Sequence, residues 1–107
     1  MTRKEAALIA DYIYKQLEKN KKDRNCYFQG ECYLTTSFSN IANELNLPAD
    51  EVERYLMMLE EERMMEITPI PMFVGRSNEL RRQIRFADRF DYVKGCAYMP
   101  QVSLDKE

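Results

Sequence analysis

Histidine is absent from the 107 residues, which removes the most frequent general base and the most frequent metal ligand together. A serine with a basic partner is the remaining route to a hydrolytic nucleophile. No segment, however, has the spacing of a nucleophile elbow, and no glycine-rich run is arranged to cradle a phosphate. Three cysteines, Cys26, Cys32 and Cys96, could supply thiolates to zinc. The Cys26-x5-Cys32 spacing is wider than structural zinc prefers, and no histidine is present to act as a fourth ligand. Buried thiols are the expected role, because a redox switch needs a lowered thiol pKa that spacing alone does not reveal. No catalytic residue, metal site or cofactor is therefore expected, and the chain reads as a binding module.

Two opposed charge patterns are the better candidates. Between Gly75 and Phe90 lie Arg76, Arg81, Arg82, Arg85 and Arg89, set against Glu79 and Asp88. Arginines at a hairpin tip grip phosphates or enter a minor groove. Their plainer use is to keep sheet edges from pairing with one another. From Asp50 to Glu66, by contrast, seven acids face two arginines, a net charge of −5. Asp50, Glu51 and Glu53 suit a helix N-terminus through its dipole, whereas Glu60, Glu61 and Glu62 near the C-terminal end cost about 0.3 kcal/mol each. Solvated charge is the simplest account of that run, and a basic protein partner is the sharper one. Met57, Met58, Met64, Met65 and Met72 cluster in the same stretch. Methionine most often fills cores but also adapts to partner surfaces, and helical register places Met57 outward.

The whole chain sets limits on both patterns. Its length suits one domain, and 45% hydrophobic with 32% charged residues is a globular composition. At this size folding buries roughly two thirds of the unfolded surface, so no disulfide or metal staple is required. The net charge of −2 offers no global attraction to a polyanion, unlike the basic balance usual in nucleic-acid-binding domains. The odd cysteine count, and an N-terminus with no apolar signal-like run, point to a reducing cytoplasm. No apolar stretch approaches the roughly 20 residues of a membrane span, so no membrane contact is expected.

Secondary structure follows from pattern. Thr2 and Glu5 have capping-box spacing, and Ala6, Ile9, Ala10, Ile13 and Leu17 recur on one face of a helix over residues 3–20. Leu8, Tyr12 and Tyr14 on its other side are surplus apolar surface, suited to the C-terminal segment or to a homodimer contact. A loop and one short strand, 33–35, follow. Ser37 caps a short helix that buries Phe38, Ile41, Ala42 and Leu45. The segment 46–49 breaks it around Pro48, and a third helix runs over 49–65 with Val52, Tyr55, Leu56 and Leu59 inward. Residues 65–74 read as extended, with Ile67 buried and with Pro69 and Pro71 requiring an edge strand. A polar loop over 75–82 leads into a strand over 83–87. Phe90, Tyr92, Val93, Tyr98, Met99 and Val102 are too apolar for a free tail and are expected to pack back on the body.

The run Ile41-Ala42-x-x-Leu45-x-Leu47-x-x-x-x-Val52-x-x-x-Leu56-x-x-Leu59 resembles the helix-turn-helix pattern of bacterial winged-helix regulators. In that family a small residue lets the two helices cross closely, here Ala42. A leucine before the turn and a valine after it hold the angle, here Leu47 and Val52. The resemblance spans about residues 6–87 and names no particular member. It implies an α+β, mainly helical fold, a winged helix-turn-helix of three helices and a β-hairpin wing over 1–87. A C-terminal extension over 88–107 would pack on the same domain.

The resemblance also implies function. A DNA-binding transcription regulator or accessory protein, of the kind carried by phages and mobile elements, would place Arg54 near the duplex. Arg76, Arg81, Arg82 and Arg85 would then hold the backbone, and Thr36, Ser39 and Asn40 would donate to phosphates. Such regulators act as dimers that read two half-sites. The alternative is a protein-interaction winged helix, in which Glu53, Met57, Glu60 and Glu61 meet a basic partner or mimic nucleic-acid charge. Fold alone does not choose between them.

Overall fold

The computed structural model describes residues 2–70 and 75–88. The expectations for Pro71, Met72, Arg89, Cys96 and the apolar residues of the C-terminal extension fall outside them. What is described is a small α+β fold of three helices and two small antiparallel sheets. No helix among the described residues is long and apolar enough to cross a membrane.

Helix α1, Arg3–Asn20, starts where the capping box places it. The Glu5 amide donates to Thr2 Oγ1 at 3.2 Å, and the Thr2 amide donates back to Glu5 Oε1 at 2.9 Å. The backbone bond and the Thr2 hydroxyl hold the Glu5 carboxyl below its ordinary pKa. Its contribution to stability is therefore complete above the ordinary carboxylate range, and it is lost as pH falls through the lowered value. Thr2→Ala is expected to cost about 1 kcal/mol, read as a lower urea midpoint at unchanged slope. Ala6, Ile9, Ile13 and Leu17 enter the core, and Tyr12 packs against it. Of the surplus apolar residues, Leu8 alone is classed as exposed, at 43%.

A turn of 3-10 helix, Arg24–Cys26, leads into a two-stranded hairpin, β1 Tyr27–Phe28 and β2 Glu31–Cys32. Gln29 and Gly30 at its tip have φ of 51° and 84°, the double positive φ that tight hairpins require. The sequence pattern suggested only a loop here. Two-residue strands are too short to show alternation, and glutamine is not a typical first residue for such a turn.

Strand β3, Leu34–Thr36, precedes helix α2, Phe38–Leu45, whose Ser37 Oγ accepts the Asn40 amide at 3.1 Å. Asn46 then turns left-handed at φ 57°, and the Leu47 amide reaches the Ala42 carbonyl at 2.9 Å. This closes the helix with a Schellman-type bond. Helix α3, Ala49–Glu61, begins behind Pro48 and ends in the same way. The Arg63 amide donates to the Glu60 carbonyl and the Met64 amide to the Leu59 carbonyl, both at 2.9 Å, while Arg63 sits at φ 60°. The helix thus stops four residues short of the expected end at Met65. An arginine gives no sequence warning of a position that usually belongs to glycine. Arg63→Gly is expected to stabilise the protein by about 1 kcal/mol through relief of that strain, measured as a raised urea midpoint.

Strand β4, Met65–Pro69, and strand β5, Arg82–Phe86, complete a three-stranded sheet of order β3-β5-β4. Its register sets Leu34, Ile84 and Ile67 in one buried row, packed against α1, α2 and α3 in a single core. Period-two alternation puts Arg82 on the inward side with Ile84, and Arg85 on the outward side. The Ile70 amide donates to the Arg81 carbonyl, and the Ala87 amide to the Met64 carbonyl. Even-numbered residues of β4 therefore face β5, and Pro69 lacks its N–H on the edge away from β5, where a proline costs the β4–β5 ladder nothing.

Candidate binding surface around the third helix

Ahead of β5, the 3-10 turn Ser77–Glu79 packs against the starts of α2 and α3. Asn78 bridges the two helices: its Nδ2 donates to Asp50 Oδ1 at 3.1 Å, and its Oδ1 accepts from Ser39 Oγ at 3.3 Å. Ser77 Oγ donates to Glu53 Oε2 at 2.6 Å. Polar residues at loop positions would ordinarily be solvated. Here each engages a carboxylate or hydroxyl that the helices present, and Asn78 is buried.

Arg82 pins this turn from below. It is 6% exposed, and its Nη1 donates to the carbonyls of Ser77 at 2.6 Å and Leu80 at 3.3 Å. Its Nη2 donates to Ser77 Oγ at 3.2 Å, and the guanidinium lies 4.2 Å from the centroid of the Phe38 ring. Burial pulls its pKa down, while Glu53 and Glu60 pull it up. Arg85 is equally committed. On the outer face of the sheet it pairs with Glu66 at 2.9 Å, Asp88 at 2.6 Å and Glu31 at 3.1 Å. Burial alone would lower its pKa, but the bonds from Asp88 and Glu66 prevail and raise it. The sequence offered both arginines as phosphate grips, and the fold commits both guanidinium groups to partners of its own, Arg82 on the inner face and Arg85 on the outer. The signal for Arg82 was present, since it shares the parity of Ile84. Nothing in the sequence marked Glu31 as a neighbour of Arg85.

The remaining nucleic-acid candidates are divided. Thr36 is 4% exposed, and its Oγ1 accepts from Asn40 Nδ2 at 2.9 Å. Ser39 is half-buried and held by Asn78. Arg54 is exposed on α3 but pairs with Glu51 at 2.8 Å. Arg81 is exposed, with Nη2 at 3.4 Å from the Thr35 carbonyl, and Arg76 and Asn40 are exposed as well. Arg81 and Asn40 therefore flank the end of β3.

Along α3 the acids form a stripe. Asp50, Glu53, Met57 and Glu60 recur at helical spacing on one side. The first two meet the Ser77–Glu79 turn, and Glu53 and Glu60 both act on Arg82. Met57, expected outward, is half-buried and packs against the core, because its place in the stripe puts it beside the sheet and not beyond it. Glu61 and Glu62 are exposed. Past the end of the helix, Glu60 lines an open groove with Arg63, Glu66 and Asp88. Among the described residues no group of three or more histidine, cysteine or acidic side chains is arranged to hold a metal. Cys26 and Cys32 are free thiols, each raised in pKa mainly by burial, which makes them less nucleophilic. Comparison with protein-family models, with curated proteins and with solved structures finds no match to this chain.

Proposed function

We propose that the chain is a winged helix-turn-helix used for protein interaction, and that the acidic surface of α3 docks on a basic partner. The architectural half of this reading is supported by the order α1, β3, α2, α3, β4, β5 and by the left-handed turn at Asn46 between two short helices. Strands β4 and β5, paired antiparallel, are read as the two sides of the wing. No catalytic role is proposed.

One observation carries the functional half. Of the five arginines named at the wing, Arg82 and Arg85 spend their donors on the protein's own carbonyls and carboxylates, whereas Glu61 and Glu62 are exposed at the end of the helix that would enter a groove. A duplex approaching this helix would meet like charge, which raises the energy of the complex and slows encounter. A surface rich in lysine or arginine would meet complementary charge. Titrating the isotope-labelled protein with a lysine-rich polypeptide is expected to shift amide resonances from Glu53 to Glu62. Shifts confined to other surfaces would contradict the proposal.

A second reading, a DNA-binding regulator, is favoured by Arg81 and Asn40 being exposed around the end of β3 and by Arg76 being exposed ahead of the Ser77–Glu79 turn. If these hold phosphates, the double variant Arg76→Ala, Arg81→Ala flattens the salt dependence of duplex binding by about two log–log units. The protein-interaction reading expects no such dependence to be present in the parent protein.

A further inference from the structure

Met65, Glu66, Ile67 and Thr68 line one open groove of about 650 Å³, together with Glu60 and Arg63 from the end of α3 and with Ala87 and Asp88 beyond β5. Successive strand side chains point to opposite faces. Four consecutive residues share one groove where it follows the backbone edge of the strand. The ladder identifies that edge. Since the even-numbered positions of β4 bond to β5 through Ile70 and Met64, the peptide groups of Met65 and Ile67 face the other way. Among the described residues β4 is the outer strand of its sheet, so they face the groove. Glu60, Glu66 and Asp88 stand against Arg63 on its rim, and Arg85, which pairs with Glu66 and Asp88, also holds Glu31, so four acids face two arginines there.

We infer that this edge receives an extended, lysine- or arginine-bearing segment of a partner protein, which adds to β4 as a further strand. The inference rests on the proposed docking of a basic partner and names the part of that partner that reaches beyond α3. Main-chain hydrogen bonds to an exposed edge supply affinity in this mode, and alternate side chains supply specificity. Pro69 offers no donor on the open side, so the pairing centres on Met65 and Ile67, and lysines on the added strand lie beside Glu66, Glu60 and Asp88. A second copy of this chain is a poorer occupant. Pairing β4 with itself would bring two acidic rims together, and like charges across strands destabilise a ladder.

Three acetylated hexapeptides test the inference on the full chain: one alternating lysine and valine, the same peptide methylated at every backbone nitrogen, and one with glutamate replacing lysine. The first is expected to protect the Met65 and Ile67 amides from hydrogen exchange. The methylated peptide keeps its charge but cannot donate, and it is expected to bind about tenfold more weakly, as is the glutamate peptide. Equal binding of the methylated and unmethylated peptides would overturn edge pairing and leave the acidic docking surface standing. Failure of both lysine peptides to bind would overturn both proposals. Protection of the same two amides in the free protein that disappears on dilution would assign the edge to a second copy and overturn the inference.

Discussion

Replacing Arg82 with alanine is expected to destabilise the protein by about 2–3 kcal/mol, the range for losing hydrogen bonds from a charged donor together with a desolvated cation–π contact. Three bonds to Ser77 and Leu80 disappear at once, and the face of Phe38 loses its cover. The carbonyls of Ser77 and Leu80 lose their donor, and the Ser77–Glu79 turn loses the group that ties it to β5. Arg81→Ala, one residue away, removes an exposed side chain and is expected to change stability by less than about 0.5 kcal/mol. Arg82→Lys should fall between them, because an ammonium keeps the charge but not the planar fork. Urea denaturation of the three variants measures this directly. Equal midpoints for Arg81→Ala and Arg82→Ala would show that Arg82 is not a pin. The contrast also governs how these arginines are tested for binding: a variant that includes Arg82 confounds lost contact with lost fold, and Arg76 with Arg81 does not.

The largest expected effect on binding comes from the double charge swap Glu60→Lys, Glu61→Lys. It turns two negative charges into two positive ones on the part of α3 that no dipole argument requires to be acidic. Affinity for a lysine-rich polypeptide is expected to fall roughly a hundredfold, about 2–3 kcal/mol spread over two reversed charges, with the loss shrinking as salt screens the surface. The same swap should raise affinity for duplex DNA if it changes it at all. Isothermal titration at low salt measures the first effect. An unchanged affinity for the polypeptide would place the partner surface elsewhere, and a loss of DNA binding would mean that the two glutamates serve a nucleic-acid site.

How far the sequence spoke depended on how local each feature was. The limits of α1 and the cap on α2 follow from residues three apart, and the core rows follow from periodicity, so all of these could be read in advance. The end of α3 could not, because Arg63 occupies a left-handed position that sequence reserves for glycine or asparagine. The hairpin from Tyr27 to Cys32 is too short to carry a pattern. The surface was less legible than the fold for a different reason. Arginine at a loop tip reads as a free cation until tertiary contacts are known. The commitment of Arg85 to Glu31, Glu66 and Asp88 depends on strand register and on a hairpin more than fifty residues away. Arg82 was the nearer miss, since alternation from Ile84 already turned it inward. The acidic character of α3 was plain from the sequence. What the structure adds is that Asp50 and Glu53 also serve the fold, through Asn78 and Ser77, while Glu61 and Glu62 lie exposed.

The most direct measurement is a pair of titrations at about 50 and 200 mM salt, one with random duplex DNA and one with a lysine-rich polypeptide, since contacts to phosphate appear as a steep loss of affinity between those salts. Binding of the polypeptide, weakened by salt, with no detectable binding of DNA at either salt, is the result expected of an acidic docking helix. Salt-sensitive binding of duplex DNA that is lost in the Arg76→Ala, Arg81→Ala variant would contradict it and assign the surface to nucleic acid.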